Sequence, residues 1–332
     1  MNNKIDADLK VIFDQYAKFD APPIELMAPV NARNLPTLKN AVEELMAENP
    51  ALRASALIKP MPQPVNISHQ IIPGPGGDIL LRVYTPYGDG PFPVLVYFHG
   101  GGWVIANLDT YEPSCRALCK KSESIVVSVA YRQSPEHKYP AAVEDAYAAT
   151  QWVIENAGLL NGHPDRVAVG GESAGGNLAA VTCLKVRDEG GQMPSAQLLI
   201  YPVTDARMNT ESYTENADAK PLNAAMMPWF WKHYLKNVSQ GLEPYASPLL
   251  AEDLSGLPPA IVITAEYDPL RDEGEAYALR LSQAGVPVFA KRYEGMTHEF
   301  FGLAGVVHKA TLAVQESSDE LQRIFRSHAH AS

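Results

Sequence analysis

The pentapeptide Gly171-Glu-Ser-Ala-Gly175 constrains the fold of this chain more than any other feature. It directly follows the apolar run RVAVG at 166–170 and precedes a helical stretch at 177–185. In a strand-to-helix turn of this kind, the central serine adopts a strained conformation that projects its hydroxyl above a sheet, so small residues are needed on either side. The serine would also lie at a helix N-terminus, where the dipole and free N–H groups favour negative charge. We therefore predict Ser173 as a nucleophile.

The chain beyond residue 65 alternates between short apolar runs and helical stretches, which is typical of a mostly parallel sheet with helices on both faces. The predicted strands are 65–72, 79–84, 94–98, 125–129, 167–170, 197–201, 260–265 and 288–293. The first two, separated by the sequence PGPGG, are expected to form an antiparallel hairpin at one edge. Five of the other six are rich in Val, Ile and Leu, as strands buried on both faces must be.

Two segments fall outside this alternation. Residues 5–55 have apolar positions three and four apart, which indicates helices, and a Pro-rich linker follows at 59–64. Residues 204–245 carry a cluster of Met and aromatic residues without a clear strand, which indicates an inserted helical cap; ordinary core packing is the alternative. The length of 332 residues suits one core with insertions. The predicted division is N-terminal cap helices at 1–55, a core at 65–203 and 246–332, and a cap insertion at 204–245.

A second motif, His99-Gly-Gly-Gly-Trp103, directly follows the predicted strand at 94–98. Successive glycines make sense where backbone N–H groups must point at something that a side chain would obstruct. In acyl transfer this is the oxyanion of the tetrahedral intermediate, and each donor is worth about 2.7–4 kcal/mol. We assign the N–H groups of Gly101, Gly102 and Ala174 to this oxyanion hole. The N–H group of Gly100 could take the place of that of a neighbouring glycine. A tight turn without a catalytic role is the alternative, and His99 is expected to brace the loop by a hydrogen bond.

The general base and its acid are expected after the serine, because this arrangement runs in the order serine, acid, histidine. Five histidines follow Ser173, and of these His298 alone directly follows a predicted core strand and its loop. Asp268 lies three residues after another predicted strand, where a carboxylate would hold the imidazole in the correct tautomer. Asp272 and Asp205 are weaker candidates for the acid. Asp272 lies one helical turn after Asp268, a position that suits a helix cap or an ion pair better.

The composition argues against several classes of partner. The chain has 27 Lys and Arg against 38 Asp and Glu, a net charge of −11, and no run of basic residues, so nucleic acid and anionic membranes are not expected. No segment approaches the ~20 apolar residues of a membrane span, and charged residues interrupt the N-terminus where a secretory signal would be apolar. The three cysteines are expected to be reduced, buried thiols. These observations predict a cytoplasmic protein.

Five ordered motifs resemble those of the hormone-sensitive-lipase-like esterases, also called bacterial family IV carboxylesterases, which have the α/β-hydrolase fold. The motifs are His99-Gly-Gly-Gly-Trp103, Tyr131-Arg132 with Pro135-Glu-His137 and Pro140-Ala-Ala142, Gly171-Glu-Ser-Ala-Gly-Gly176, Asp268-Pro-Leu-Arg-Asp272 and Gly295-Met-Thr-His298. The resemblance runs from about residue 65 to the end. It implies a mostly parallel eight-stranded sheet flanked by helices, a helical cap, and a triad of Ser173, Asp268 and His298.

The resemblance also implies an activity: a serine esterase that hydrolyses short- to medium-chain carboxylic esters through an acyl-enzyme, without cofactor or metal. Dimerisation through the final strand and helix is frequent in the family. An amidase, a lactonase, another acyl hydrolase and an interfacial lipase are alternatives, as is a non-catalytic small-molecule-binding member of the fold. The substrate pocket is expected to contain Trp103, Glu172, Met226, Trp229 and Phe230. Glu172 stands where the family commonly has aspartate.

Overall fold

The computed structural model describes residues 5–48 and 66–329. The predicted linker at 59–64, the last residues of the predicted helical segment and the first residue of the first predicted strand lie outside these ranges. The last histidine of the chain, His330, lies outside them as well.

Eight strands form one sheet in the order β1-β2-β4-β3-β5-β6-β7-β8. Their bounds are Asn66–Gly74 (β1), Gly77–Thr85 (β2), Phe92–Phe98 (β3), Ile125–Val129 (β4), Gly162–Glu172 (β5), Gln197–Ile200 (β6), Ala260–Tyr267 (β7) and Val288–Thr297 (β8). Strand β2 is antiparallel to both β1 and β4, and every other neighbouring pair is parallel. The predicted mostly parallel eight-stranded sheet and its antiparallel edge hairpin are confirmed.

Helices cover both faces of the sheet. The α-helices of the described residues are Ala7–Tyr16 (α1), Pro29–Ala32 (α2), Leu38–Glu48 (α3), Glu112–Ser122 (α4), Ala141–Asn156 (α5), Ala174–Asp188 (α6), Glu211–Glu215 (α7), Met226–Tyr234 (α8), Arg271–Gln283 (α9) and His308–Ala329 (α10). Short 3₁₀ helices lie at Ala17–Phe19, Ile24–Leu26, Ala157–Leu160, Val238–Leu242, Pro248–Leu250 and Phe300–Leu303.

Strand β3 shows how the sheet divides the core. Successive side chains of a strand point to opposite faces. Val94, Val96 and Phe98 join a cluster with side chains of α5, α6 and α9, whereas Leu95 and Tyr97 join a second cluster with α1, α4 and α10. All five side chains are fully buried. A strand at the centre of a two-sided core therefore has no polar face, which explains its continuous apolar run.

The structure bears on two predictions from the composition, the buried thiols and the lack of a membrane span. Cys115, Cys119 and Cys183 are all buried and unpaired. Within the described ranges, every helix is too short or too polar to cross a bilayer.

The carboxyl ends of the parallel strands gather the predicted site residues. His99 directly follows β3, Ser173 follows β5, Asp268 follows β7 and His298 follows β8. Because parallel strands end at the same edge of a sheet, four positions spread over 200 residues of sequence meet there.

Candidate active site

Ser173 lies in a strained turn between β5 and α6, with φ 57° and ψ −117°. Its side chain does not cap the helix that it precedes. The glycines two positions away are sterically required: a Cβ on Gly171 would lie 2.3 Å from the carbonyl oxygen of Phe98, and one on Gly175 only 1.9 Å from the same atom. Strand β3 thus packs against the turn so closely that only glycine fits, which leaves the serine hydroxyl free to point above the sheet.

The hydroxyl of Ser173 heads a continuous chain of hydrogen bonds. Its Oγ lies 2.9 Å from Nε2 of His298, and Nδ1 of His298 lies 2.7 Å from Oδ2 of Asp268. The other carboxylate oxygen, Oδ1, accepts the backbone N–H of Leu270. With Nδ1 donating to the carboxylate, Nε2 is left as the acceptor for the serine proton. All three side chains are buried, and Asp268 is completely inaccessible.

The electrostatic surroundings of His298 favour its protonated form. Burial lowers the pKa of the imidazole, but the neighbouring Asp268 carboxylate, by charge and by hydrogen bond, more than offsets this, with smaller contributions from Glu299 and Glu172. The pKa of His298 is therefore raised above the ordinary value of 6.5. An imidazole with a raised pKa is a stronger base toward the Ser173 proton.

The other candidate carboxylates are occupied elsewhere. Asp272 lies in the first turn of α9, where it pairs with Arg271 and accepts the backbone N–H of Ser212. Asp205 pairs with Arg207 at 2.7 Å. Of the three carboxylates considered from the sequence, Asp268 is therefore the one that lies beside the imidazole of His298.

The glycine loop after β3 has the backbone geometry that its sequence suggests. Gly101 has φ 95° and Gly102 has φ 57°. A Cβ on Gly101 would lie 2.2 Å from the carbonyl oxygen of Ile105, and one on Gly102 would lie 2.1 Å from the ring of Phe230. Among the described residues, neither N–H group has a hydrogen-bond acceptor. Unpaired N–H groups beside a buried serine are suited to bind an oxyanion.

His99 lies beneath this loop and does not contact Ser173. Its Nδ1 is 2.7 Å from the carbonyl oxygen of Gly100, and its ring stacks on Tyr131 with 4.4 Å between centroids. Tyr131 also donates its hydroxyl hydrogen to the His99 carbonyl at 2.8 Å. Burial lowers the pKa of His99 to about 4, so the ring is neutral and acts as a hydrogen-bonding brace.

A cavity of about 600 Å³ opens over the serine. Of the predicted residues, its walls include Ser173, His298, Gly101, Gly102, Met226 and Phe230. Segment 13–38 supplies another wall, with Phe13, Tyr16, Pro23, Ile24 and Leu35 among its members. Gly100 and Ala174 are not among the residues that line the cavity, although the N–H of Ala174, as the first residue of α6, has no partner within the helix.

Two residues expected in the pocket, Trp103 and Trp229, pack into the core instead, and the prediction for them is corrected. Trp103 is fully buried and stacks on Tyr234 at 4.0 Å. Trp229 turns its indole N–H away, to the backbone oxygen of Met27 at 3.0 Å. Glu172 does not line this cavity but lines a second cavity beside it. The motif after β3 suggested Trp103 and the aromatic cluster suggested Trp229, but core packing, the alternative considered for that cluster, decided the direction of both side chains.

Glu172 is bound by two phenols that the sequence analysis did not single out. Tyr97 donates to its Oε1 at 2.5 Å, and Tyr201 donates to its Oε2. Burial raises the pKa of Glu172, partly opposed by the neighbouring hydroxyl groups of Ser114, Tyr201 and Tyr97. The position of Tyr201 directly after β6, at the strand edge that carries the site, was a signal that could have identified it.

Arg33 is a second residue that the sequence analysis missed. Its guanidinium donates to the backbone oxygens of Val104 and Ser134, both at 2.8 Å, and pairs with Glu136. The N-terminal segment is therefore fastened to the back of the glycine loop. A lone arginine in an amphipathic helical segment offers no sequence signal for such a contact.

The sheet order, the strained serine turn and the glycine loop define the class of α/β hydrolases. A family model described as alpha/beta hydrolase fold matches residues 95–302. Carboxylic ester hydrolase LipN of Mycobacterium tuberculosis is 45% identical over 268 residues, which cover 79% of this chain and 71% of LipN. Carboxylesterase NlhH of the same species is 44% identical over 254 residues, covering 75% and 80% of the two chains.

Solved structures agree with the sequence relatives. A thermostable esterase from Pseudomonas putida ECU1011 superposes with a TM-score of 0.86 at 37% identity, over 97% of this chain and 98% of that one. The chain belongs to the α/β-hydrolase family, within its hormone-sensitive-lipase-like group of carboxylesterases. It is a carboxylic ester hydrolase.

Proposed function

We propose that this chain is a serine carboxylesterase that hydrolyses short- to medium-chain esters through an acyl-enzyme intermediate. Ser173 is the nucleophile, His298 the general base and Asp268 the acid that orients it. The observation that carries the proposal is the unbroken series of contacts from the Ser173 hydroxyl through the imidazole to the Asp268 carboxylate, at one wall of a cavity.

The first half of the reaction forms the acyl-enzyme. Nε2 of His298 accepts the proton of Ser173 while the serine oxygen attacks the ester carbonyl carbon. Asp268 stabilises the imidazolium that forms. The imidazolium then gives the same proton to the alkoxy oxygen of the collapsing tetrahedral intermediate, and the alcohol leaves.

The second half repeats these steps with water. His298 takes a proton from water, whose oxygen attacks the acyl carbon, and then returns the proton to Ser173 as the carboxylic acid leaves. In both halves, the N–H groups of Gly101, Gly102 and Ala174 would donate to the negative oxygen. Each such donor is worth about 2.7–4 kcal/mol of barrier in comparable sites.

The preference for small and medium esters is supported by the walls of the catalytic cavity. Its volume of about 600 Å³ is in the usual range for small-molecule sites. Leu222, Met226 and Phe230 close it from the insertion at 204–245, and segment 13–38 closes it from the N-terminal side. We propose that these two parts act together as the cap, an idea supported by the hydrogen bond from Trp229 to Met27.

Homodimerisation through the last strand and helix is also proposed. Strand β8 is an edge of the sheet, so its outer side presents backbone groups that a second copy can pair with. A molar mass twice that of the 36.2 kDa chain in light scattering after size-exclusion chromatography would support it.

A cytoplasmic location is proposed on the basis of the three unpaired, buried thiols. Disulfides are rare in reducing compartments, and thiols remain free there. Fractionation of cells that express the chain, with markers for each compartment, tests the location.

The decisive experiment combines Ser173→Ala with an acyl-length series of p-nitrophenyl esters from acetate to palmitate. The wild type should turn over short and medium esters and be labelled by a fluorophosphonate, and the variant should fold but lose both properties. Faster turnover of matched amides or lactones than of esters would instead assign the chain to those classes. Failure of labelling in the wild type would favour a non-catalytic binding protein, and activity that rises sharply above the micelle concentration would indicate a lipase.

A further inference from the structure

A second cavity, of about 460 Å³, lies beside the catalytic one. It is enclosed by α3, the start of α4 and the loop at 302–306, and none of the three proposed catalytic side chains lines it. The two cavities share four lining residues: Thr37, Leu38, Thr110 and Glu299. We name this second space the α3 chamber.

The α3 chamber has an apolar wall and a polar end. Its apolar residues are Leu38, Val42, Met46, Leu303, Ala304 and Val306. At the polar end, the hydroxyl groups of Tyr111 and Ser114 are buried and have no hydrogen-bond partner among the described residues. They lie near the carboxyl groups of Glu299 and Glu172, respectively, without meeting hydrogen-bond geometry. Buried hydroxyls without partners are unfavourable, and a bound molecule with a hydrogen-bonding group would satisfy them.

The position of the chamber indicates which part of an ester it receives. During acyl-enzyme formation, the leaving alcohol oxygen must approach Nε2 of His298 to receive its proton. Glu299, the next residue in the chain, forms the wall common to both cavities. The proposed oxyanion donors Gly101 and Gly102 and the cap side chain Phe230 line the catalytic cavity alone. These positions favour the alcohol part on the chamber side of the serine and the acyl part toward Phe230.

We infer that the α3 chamber binds the alcohol part of the substrate, and that the preferred alcohol is bulky, mostly apolar and neutral, with a hydroxyl group that pairs with Ser114 or Tyr111. This inference rests on the proposed esterase function and adds the class of leaving group to it. Negatively charged alcohols are disfavoured, because Lys39, the one cation among the described lining residues, already pairs with Glu43, and the carboxyl groups of Glu172 and Glu299 offer a negative group no attraction.

Filling the chamber tests its role. Val42→Trp on α3 and Val306→Trp on the loop place a large ring in the chamber from two different elements. Ala47→Trp, at an exposed position of the same helix and outside both cavities, is the matched control. Two substrate series are compared for kcat/KM: acetates of ethanol, 2-phenylethanol and 2-(4-hydroxyphenyl)ethanol, and ethyl esters of acids of increasing length.

Relative to ethyl acetate, both filling variants should lower kcat/KM for the two arylethyl acetates by about tenfold or more, the usual scale for loss of an apolar pocket contact, and should leave the chain-length profile of the acyl series unchanged. The control should match the wild type throughout. A uniform loss on all substrates, a loss confined to long acyl chains, or no change would each overturn the inference. Absence of ester turnover in the wild type would instead reject the proposed function, so the two failures are distinguishable.

The polar end is tested by Ser114→Ala. The wild type should prefer the acetate of 2-(4-hydroxyphenyl)ethanol over that of 2-phenylethanol, and the variant should reduce this preference by about fivefold, the scale of one neutral hydrogen bond. An unchanged preference in the variant would show that Ser114 does not bind the alcohol and would overturn this part of the inference.

Discussion

The phenol ring of Tyr201 packs against the imidazole of His298, with 4.5 Å between their centroids, while its hydroxyl is held by Glu172. Glu172 directly precedes Ser173, so one carboxyl group links the serine turn to the ring that packs on the imidazole of His298. Tyr97 holds the other oxygen of the same carboxyl group. The serine turn and the imidazole are thereby positioned by a common buried group.

Replacing Glu172 with leucine should destabilise the protein. Both phenol hydroxyls would lose their acceptor in a fully buried site, and each unsatisfied group costs about 1–3 kcal/mol. The free energy of unfolding, measured by urea titration, should therefore fall by about 2–6 kcal/mol. Adding Tyr97→Phe and Tyr201→Phe removes the orphaned hydroxyls and should restore part of the loss; a triple variant no more stable than E172L would contradict this account.

Asp268→Asn should lower kcat by about 10³–10⁴-fold, the scale seen when the imidazole loses its orienting carboxylate. The pH profile gives a second test. In the wild type, kcat/KM should fall as pH drops through the raised pKa of His298, because only the neutral imidazole accepts the serine proton. Without Asp268, burial dominates and the pKa of His298 moves down, so the acid limb should shift to lower pH.

The matched control for this prediction is Asp272→Asn, which removes a carboxylate of the same segment that pairs with Arg271. We expect it to keep its rate and its acid limb. If D268N retained wild-type kcat, or if D272N lost as much, the assignment of the acid would be wrong.

Gly102→Ala should impair turnover more than stability. The added Cβ would meet the ring of Phe230, and the residue has φ 57°, so the loop must shift and move its N–H groups. Loss of one oxyanion donor lowers kcat by about 10²–10³-fold. Gly158→Ala is the control, because a Cβ there meets nothing within 4 Å. Equal kcat in G102A and G158A would exclude these amides from the reaction.

Glu273 should make the stability of the folded protein depend on pH. Burial, reinforced by the nearby Asp205, raises its pKa from 4.5 to about 8, despite hydrogen bonds from the N–H groups of Thr204 and Asp205. The folded state thus holds a proton that the unfolded state releases, so stability declines as pH rises from about 4.5 to about 8. The contribution is on the order of a few kcal/mol.

Glu273→Gln keeps an acceptor for the two N–H groups and removes the titration. Urea unfolding at a series of pH values should therefore show a flatter decline for E273Q than for the wild type over this interval. Parallel curves for the two proteins would mean that Glu273 does not titrate in the folded state.

Local sequence patterns identified the strands and the motif positions with few errors. The apolar runs at 94–98 and 125–129 were sufficient because strands buried on both faces cannot carry polar residues. The glycines of the two motifs were equally informative, since close backbone approach leaves no room for any other residue. These signals arise within a few residues of chain, and a sequence displays them directly.

The directions of individual side chains were harder to predict. Trp103 and Trp229 lie within motifs and helices near the site, yet both face the core, because that is where the folded chain provides ring-stacking and hydrogen-bonding partners. Tyr201 and Arg33 contribute to the site through partners 29 and about 100 positions away, respectively. Neither contact leaves a periodic or compositional trace.

The sequence by itself determined the class of fold, the strained serine and the order of the proposed nucleophile, acid and base, because each depends on backbone sterics or on the path of the chain along a parallel sheet. The tertiary structure alone decided that Asp268 rather than Asp272 reaches His298, which residues line the cavity, and that a second chamber adjoins it. Those features depend on distances between elements remote in sequence, which only packing of the whole core fixes.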